Sequence, residues 1–225
     1  MTSSINPQIF REYDIRGIVG QDLTSESVAS IGKAIGTYIR RGGGKTMVVG
    51  RDVRSSSIEF RDILSKALNS TGCDVIDIGM VPTPVTYFAL HHFKADGGVM
   101  ITGSHNPPEF NGFKISQGLH SLYGEKVQAL KRLIEANDFE TGAGNTRQQG
   151  VLGNYMEKIC SILKISRKVK VVVDGGNGCF GIVGPDLLRK LGQNPVELFS
   201  EPDGTFPNHH PDPTVTEHLT HLIAK

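Results

Sequence analysis

The sequence predicts an α/β fold: a mixed, mostly parallel sheet with helices on both faces, followed by part of a second, similar α/β unit. Three observations carry that expectation. Apolar runs of strand length recur at residues 46–50, 74–79 and 97–102, nearly continuous as in a parallel sheet covered on both sides. Stretches with helical spacing of apolar residues alternate with them. The 27 glycines are dispersed and punctuate element ends, so they mark turns rather than low complexity.

The elements follow in order. Val28, Ile31, Ile35, Tyr38 and Ile39 predict a helix over 26–40, which Gly42, Gly43 and Gly44 end. A buried strand over 46–50 comes next. Ser55, Ser56 and Ser57 offer N-caps to a helix whose stripe is Phe60, Ile63, Leu64, Ala67 and Leu68, stopped at Gly72. Residues 74–79 read as a strand, 85–93 as a short helix behind Pro82 and Pro84, and 97–102 as a third strand. This β-α-β-α-β series calls for right-handed crossovers.

The polar stretch 137–150 places a division between units, giving 1–145 and 146–225. Beyond it the expected elements are a helix over 151–163, a strand over 169–174, a helix over 182–191, a strand over 195–199 and a helix over 214–225. Residues 47–52 and 171–176 open weakly similar strand–helix–Gly–strand units. With about two strands, the second unit leaves a sheet unfinished, a liability at its edge. The expectation is a segment of a longer protein.

Composition excludes several function classes. Lys and Arg total 24 against 23 Asp and Glu, a net charge of +1, which lacks the broad basic footprint of a general nucleic-acid binder. Aromatics are 7% and Trp is absent, so a stacking platform for bases is not expected. No run approaches the roughly 18 apolar residues of a membrane span. Residues 1–7 lack the basic and apolar regions of a secretory leader. Cys73, Cys160 and Cys179 show no CxxC spacing; they read as reduced thiols of a cytoplasmic protein rather than a disulfide framework or zinc site. The sequence carries no signal for an oligomeric state.

The strand ending at Thr102 runs into Gly103-Ser104-His105-Asn106-Pro107-Pro108. Ligands gather at the carboxyl ends of strands in open parallel sheets. Ser104 on a Gly-flanked, proline-stiffened loop is a candidate nucleophile or phosphoryl carrier, and His105 a candidate proton or anion partner. The local pattern alone favours a capped turn over catalysis, and neighbouring residues seldom form a Ser–His nucleophile–base pair. Lys114 is a candidate point charge for a phosphate, and Arg16 a bidentate one; the alternatives are a solvated Lys and a surface ion pair of Arg16 with Asp14 or Glu12. Asp174-Gly175-Gly176-Asn177-Gly178 reads as a structural turn or an anion nest, and matches neither Walker nor GxGxxG patterns. Asn208-His209-His210-Pro211-Asp212 reads as a rigid turn in preference to a metal site.

Taken together, FREYDIRG at 10–17, TGSHNPPEFNGFK at 102–114, DGGNG at 174–178 and PNHHPDPT at 207–214 stand in the order seen in bacterial phosphomannomutase/phosphoglucomutase enzymes. The chain resembles the N-terminal portion of that α-D-phosphohexomutase superfamily from about residue 9 onward. The resemblance implies an isomerase that interconverts hexose 1-phosphate and 6-phosphate, of mannose or glucose, through a hexose 1,6-bisphosphate intermediate. Ser104 would be the phosphoserine, His105 and Lys114 its helpers in proton handling and charge stabilisation, and Tyr13 and Arg16 substrate-binding residues of the same site. A phosphate oxygen on Ser104 would be one ligand of Mg²⁺. The family's DGDGDR loop, which supplies the three carboxylates for that metal, has no match here, so the 225-residue chain alone is expected to turn over little or no substrate. Gly103 stands where phosphoglucosamine mutases usually carry Ala, which leans toward mannose and glucose. The alternative is a short sugar-phosphate-binding or regulatory module without catalysis. Hexose phosphate is the expected partner, with neither nucleic acid nor membrane.

Overall fold

The computed structural model describes residues 5–225, so the first four residues of the segment read for a leader lie outside it. In chain order the elements are β1 (Ile15–Ile18), α1 (Ser25–Arg41), β2 (Thr46–Arg51), α2 (Ser56–Ser70), β3 (Asp74–Met80), α3 (Thr83–Phe93), β4 (Gly97–Ile101), β5 (Phe110–Gln117), β6 (His120–Ser121), α4 (Glu125–Glu135) and β7 (Thr146–Gln148). Then come α5 (Leu152–Ile162), β8 (Val172–Asp174), α6 (Gly184–Lys190), β9 (Val196–Leu198) and α7 (Thr220–Ile223).

The large sheet runs β1-β5-β4-β2-β3-β7, with β6 beside β5. β2 pairs in parallel with both β3 and β4, and β7 extends β3 in parallel. β5 alone runs against the rest, antiparallel to β4, β1 and β6. Side chains alternate across the pleat. Met47, Val49, Val75, Val99 and Ile101 join α1, α2 and α4 in one core, while Val48, Ile76 and Met100 face α3 and the N-terminal part of α5. Each fully buried Val, Leu, Ile or Phe in these layers contributes about 1.5–3 kcal/mol. Helix α1 starts where Thr24 and Ser27 cap each other reciprocally, and Gly42 ends it.

Several elements differ from the sequence reading. Ser55 lies in right-handed helical backbone and makes no capping bond; the hydroxyls of Ser56 and Ser57 are engaged instead by Asn111 and Asp52. The stretch 137–150, where the sequence places the division, is tied to the first unit. Arg41 grips Asp138 with two nitrogens, the Glu140 amide donates to Thr37 Oγ1, and the Gly142 amide donates to the Ser70 carbonyl. The division drawn between 145 and 146 falls just ahead of β7, whose backbone bonds to β3 carry the first sheet on to Gln148.

In the second unit β8 and β9 form a two-stranded parallel sheet. The helix expected over 214–225 is instead a 3₁₀ turn, Thr216–Leu219, followed by the single-turn α7. Its apolar stripe finds little to pack on, Ile223 being 69% exposed, and short helices need such packing. Among the described residues no helix is long and apolar enough to cross a membrane.

Candidate functional site

Helix α2 leaves β2 on one face of the sheet and α3 leaves β3 on the other, so the chain reverses its spread on either side of β2. That switch point opens a crevice at the carboxyl ends of β2 and β4. The loops leaving these strands meet there: the Asp52 amide donates to the Ile101 carbonyl at 2.9 Å, and the Gly103 amide to Asp52 Oδ2 at 3.3 Å.

Ser104 sits on the loop after β4 with φ +56°, in the left-handed region. A non-glycine residue there costs of order 1 kcal/mol and persists only when its surroundings fix it. Two features fix it here. The Ser104 amide donates to Thr102 Oγ1 at 2.9 Å. The Arg54 guanidinium, 1% exposed, lies beneath the loop. Its Nη1 donates to the carbonyls of Pro107 (2.6 Å) and Phe110 (2.9 Å), its Nη2 to those of Ser104 (3.1 Å) and Asn106 (2.6 Å), and its Nε to Asp52 Oδ2 (3.1 Å). Burial pulls this guanidinium below its ordinary value, and the Asp52 charge opposes that shift. The sequence reading missed both residues. Arg51-Asp52-Val53-Arg54 resembles an ordinary charged turn, and only its place at the carboxyl end of a central strand marks it out.

The other expected residues gather unevenly. Ser104 Oγ lies 3.4 Å from His105 Nδ1, a long contact between adjacent residues. Arg16 Nη1 donates to the Asn106 side-chain oxygen at 2.9 Å, tying β1 to the loop. Its Nη2 pairs with Asp14 at 2.5 Å, the ion pair read from the sequence, and Lys114 Nζ reaches the same carboxylate oxygen at 3.4 Å. Arg16, Lys114 and the loop are thus joined through Asp14 and Asn106. Tyr13, 71% exposed, is not drawn into this network. Asn111, fully buried, bonds Ser56 and Ser57 and so locks the start of β5 to the start of α2.

The second unit closes the other side. A cavity of about 200 Å³ lies between the units, lined by Asp52, Thr102, Ser104, Cys179, Phe206 and Pro211 among others. Burial, with the Asp52 charge nearby, pushes the Cys179 thiol up to about 12. Phe206 stacks its ring over Arg54, 5.3 Å from ring centroid to guanidinium carbon. The two motifs of this unit bind each other: His209 Nε2 bridges both Asp174 oxygens at 3.1 Å, and Asn208 Nδ2 donates to Asn177 Oδ1 at 2.7 Å. Burial alone would pull the His209 imidazole down, but its bonds to the His210 carbonyl and the Asp174 carboxylate outweigh that and raise it. The segment is therefore a braced turn. Asp212 is held below the usual carboxylate range by the Thr214 hydroxyl and amide, with smaller help from His105.

Comparison with known proteins then places this geometry. The family model "Phosphoglucomutase/phosphomannomutase, alpha/beta/alpha domain I" matches residues 7–141, and that of domain II matches 148–225. The chain belongs to the phosphoglucomutase/phosphomannomutase family. A phosphomannomutase/phosphoglucomutase of Pseudomonas aeruginosa is 47% identical over 217 residues, 96% of this chain and 47% of that protein. A phosphoglucomutase of Neisseria meningitidis serogroup B is 41% identical, over 99% of this chain and 49% of its own. The crystal structure of a family protein from Burkholderia thailandensis superposes with a TM-score of 0.94 at 44% identity, covering 98% of this chain and 50% of that one. The chain spans about half the length of the relatives it matches.

The Mg²⁺ implied by the family resemblance meets few ligands here. Among the described residues no group of three or more His, Cys, Asp and Glu comes together to hold a metal. The side chains joined to the Ser104 loop include two cations, Arg16 and Lys114, which share a single carboxylate. These residues do not assemble a divalent-cation site; Ser104 offers one oxygen.

Proposed function

We propose that Ser104 carries the phosphoryl group in the interconversion of hexose 1-phosphate and hexose 6-phosphate, the sugar being mannose, glucose or both. The observation that carries this reading is the strained, clamped Ser104 at the switch point, joined through its loop to Arg16 and Lys114. In the forward half-reaction the Ser104 Oγ–phosphorus bond breaks as a sugar hydroxyl oxygen bonds phosphorus, giving the hexose 1,6-bisphosphate. The hydroxyl proton leaves to His105, whose Nδ1 faces Ser104 Oγ. In the return half, Ser104 Oγ bonds the phosphorus of the other phosphate as its bond to the sugar oxygen breaks, and the proton held by His105 passes to the freed sugar oxygen. Arg16 and Lys114 balance the charge on the moving group, which is the principal catalytic task in phosphoryl transfer.

Tyr13 and Arg16 are the substrate-binding residues in this reading. The Mg²⁺ implied by the family would meet a phosphate oxygen on Ser104, but the residues gathered here do not supply the carboxylates that would hold it. The two units, the first taken to the end of β7 and the second beyond it, share the site. The three cysteines are unpaired, in keeping with a cytoplasmic protein whose partner is a hexose phosphate, with no part for nucleic acid or membrane.

The test is incubation of the chain with glucose 1,6-bisphosphate followed by intact mass. A gain of about 80 Da, one phosphoryl group, mapped to Ser104 and lost in Ser104→Ala, supports the reading. Binding of hexose phosphate with no covalent phosphate in the wild type overturns it in favour of a binding module.

A further inference from the structure

We infer that Arg54 is a positioning residue, which turns four loop carbonyls inward and thereby holds Ser104 left-handed with the His105 amide facing outward, toward the group that Ser104 carries. The catalytic consequence rests on the reading of Ser104 given above; the clamp itself stands on geometry.

A guanidinium has five N–H donors in a fixed fork. Every one is placed: one on Asp52 and four on the carbonyls of Ser104, Asn106, Pro107 and Phe110. The loop has few amides of its own for these carbonyls: Pro107 and Pro108 have no N–H to offer, and among the described bonds only the Phe110 amide reaches one of the four, that of Pro107. In a trans peptide the C=O and N–H point opposite ways. With the Ser104 carbonyl drawn onto Arg54, the next amide, that of His105, points away from it. An outward amide beside a phosphoryl group is a donor in place before the charge arrives.

The residues around Arg54 fit this role. Gly103 leaves room for the fork: a Cβ there would lie 2.5 Å from Arg54 Cζ and 2.6 Å from Nε. Phe206 closes the exposed side of the guanidinium, and a Cβ on Gly204 would meet the backbone of Val53–Ser55, so the second unit packs directly against the clamp. Lysine would keep the charge but has three donors on one nitrogen, too few for the five acceptors.

The test compares wild type with Arg54→Lys in the isotope-labelled chain. Backbone shifts and one-bond Cα–Hα couplings of Ser104 report its left-handed state. Exchange of the Asn106 and Phe110 amides, which bond Gly103 and Pro107 carbonyls within the loop, reports its closure. We expect Arg54→Lys to lose the left-handed signature and to speed exchange at both amides about tenfold, equivalent to ~1.4 kcal/mol, while β2, β3 and β4 stay protected. Phosphorylation of Ser104 by saturating glucose 1,6-bisphosphate should slow about tenfold as well, with little change in the half-saturating concentration.

A folded Arg54→Lys with Ser104 still left-handed and the loop amides still protected overturns the inference. A merely structural arginine would lower the melting temperature and leave both loop readouts and the phosphoryl rate unchanged well below it. Should Arg54→Lys fail to fold, Gly103→Ala decides on the same two readouts, because its methyl group crowds the guanidinium and the Phe110 carbonyl bound to it without removing either. If the wild type takes no phosphate, the carrier reading of Ser104 falls, while the clamp is still judged by the loop readouts.

Discussion

Asp52→Asn should destabilise the first unit by about 3–5 kcal/mol, the cost of breaking a buried ion pair by removing one partner. Asp52 Oδ2 lies 3.1 Å from Arg54 Nε, with side-chain exposures of 12% and 1%. At an effective dielectric of ~20, unit charges at that distance attract by about 5 kcal/mol, so the measured range is physically reachable. The carboxylate also accepts from the Arg54 amide at 3.0 Å and from Ser57 Oγ at 2.7 Å on Oδ1, and from the Gly103 amide on Oδ2. An asparagine can keep the first pair of bonds. Its NH₂ would then face the Arg54 and Gly103 donors, which leaves the cation unpaired in the interior. The assay is urea unfolding followed by far-ultraviolet circular dichroism, since the chain has no Trp. With an m-value of ~2 kcal/mol/M, the midpoint should fall by about 1.5–2.5 M. A fall below about 0.5 M at unchanged slope would refute the claim that Asp52 is the essential counter-ion of Arg54.

Two further perturbations probe the frame around the loop. Gly112→Ala places a methyl group against the Ile15 carbonyl oxygen where β5 pairs with β1. Overpacking there should cost about 1–3 kcal/mol and slow phosphate uptake at Ser104 by loosening Arg16 from Asn106; unchanged unfolding and uptake would count against that link. The His209–Asp174 bridge should make stability pH-dependent. The His209 value is raised on folding, so its contribution is complete below the unfolded value of about 6.5 and fades as pH rises through the higher folded value. The melting-temperature gap between wild type and His209→Gln should therefore be wider near pH 5.5 than near pH 8.5, and an equal gap would show that the imidazolium adds nothing.

The buried parallel strands β2, β3 and β4 and the helices between them were legible because their signals are local. Met47, Val48 and Val49 are all fully buried in β2, and a short run of apolar residues announces such a strand. β5 was hidden by its own function. It spends Asn111 on bracing α2 and Lys114 on Asp14, which breaks the apolar pattern that sequence reading relies on. β7 carries Thr, Arg and Gln, all exposed, and is a strand only because β3 presents an open edge. The Ser104 loop drew notice by its place after a strand and its proline-stiffened glycine turn, but its local pattern favoured a capped turn and its proposed role rests on the family resemblance. Arg54 and Asp52 drew no notice. Their burial arises where two loops 50 residues apart in sequence converge at one sheet end, with Arg54 Nη2 on the Ser104 carbonyl.

In the reading of Ser104 proposed above, the charges of this corner suit an incoming anion. Arg54 is matched by Asp52, so the clamp is internally neutral. Arg16 and Lys114, in contrast, share the single carboxylate of Asp14, Arg16 at 2.5 Å and Lys114 at 3.4 Å. This hydrogen-bonded network holds one more cation than carboxylate, in a partly buried setting where charge is costly to leave unbalanced. Lys114 holds the weaker of the two bonds, so it gains most by turning toward an incoming phosphate. Arg16, already bound to Asn106 of the loop, gains less. A neutral network would need no phosphate, and a fully unpaired one would destabilise the empty site. Two cations on one acid lie between, stable without ligand yet still attractive to a doubly charged group.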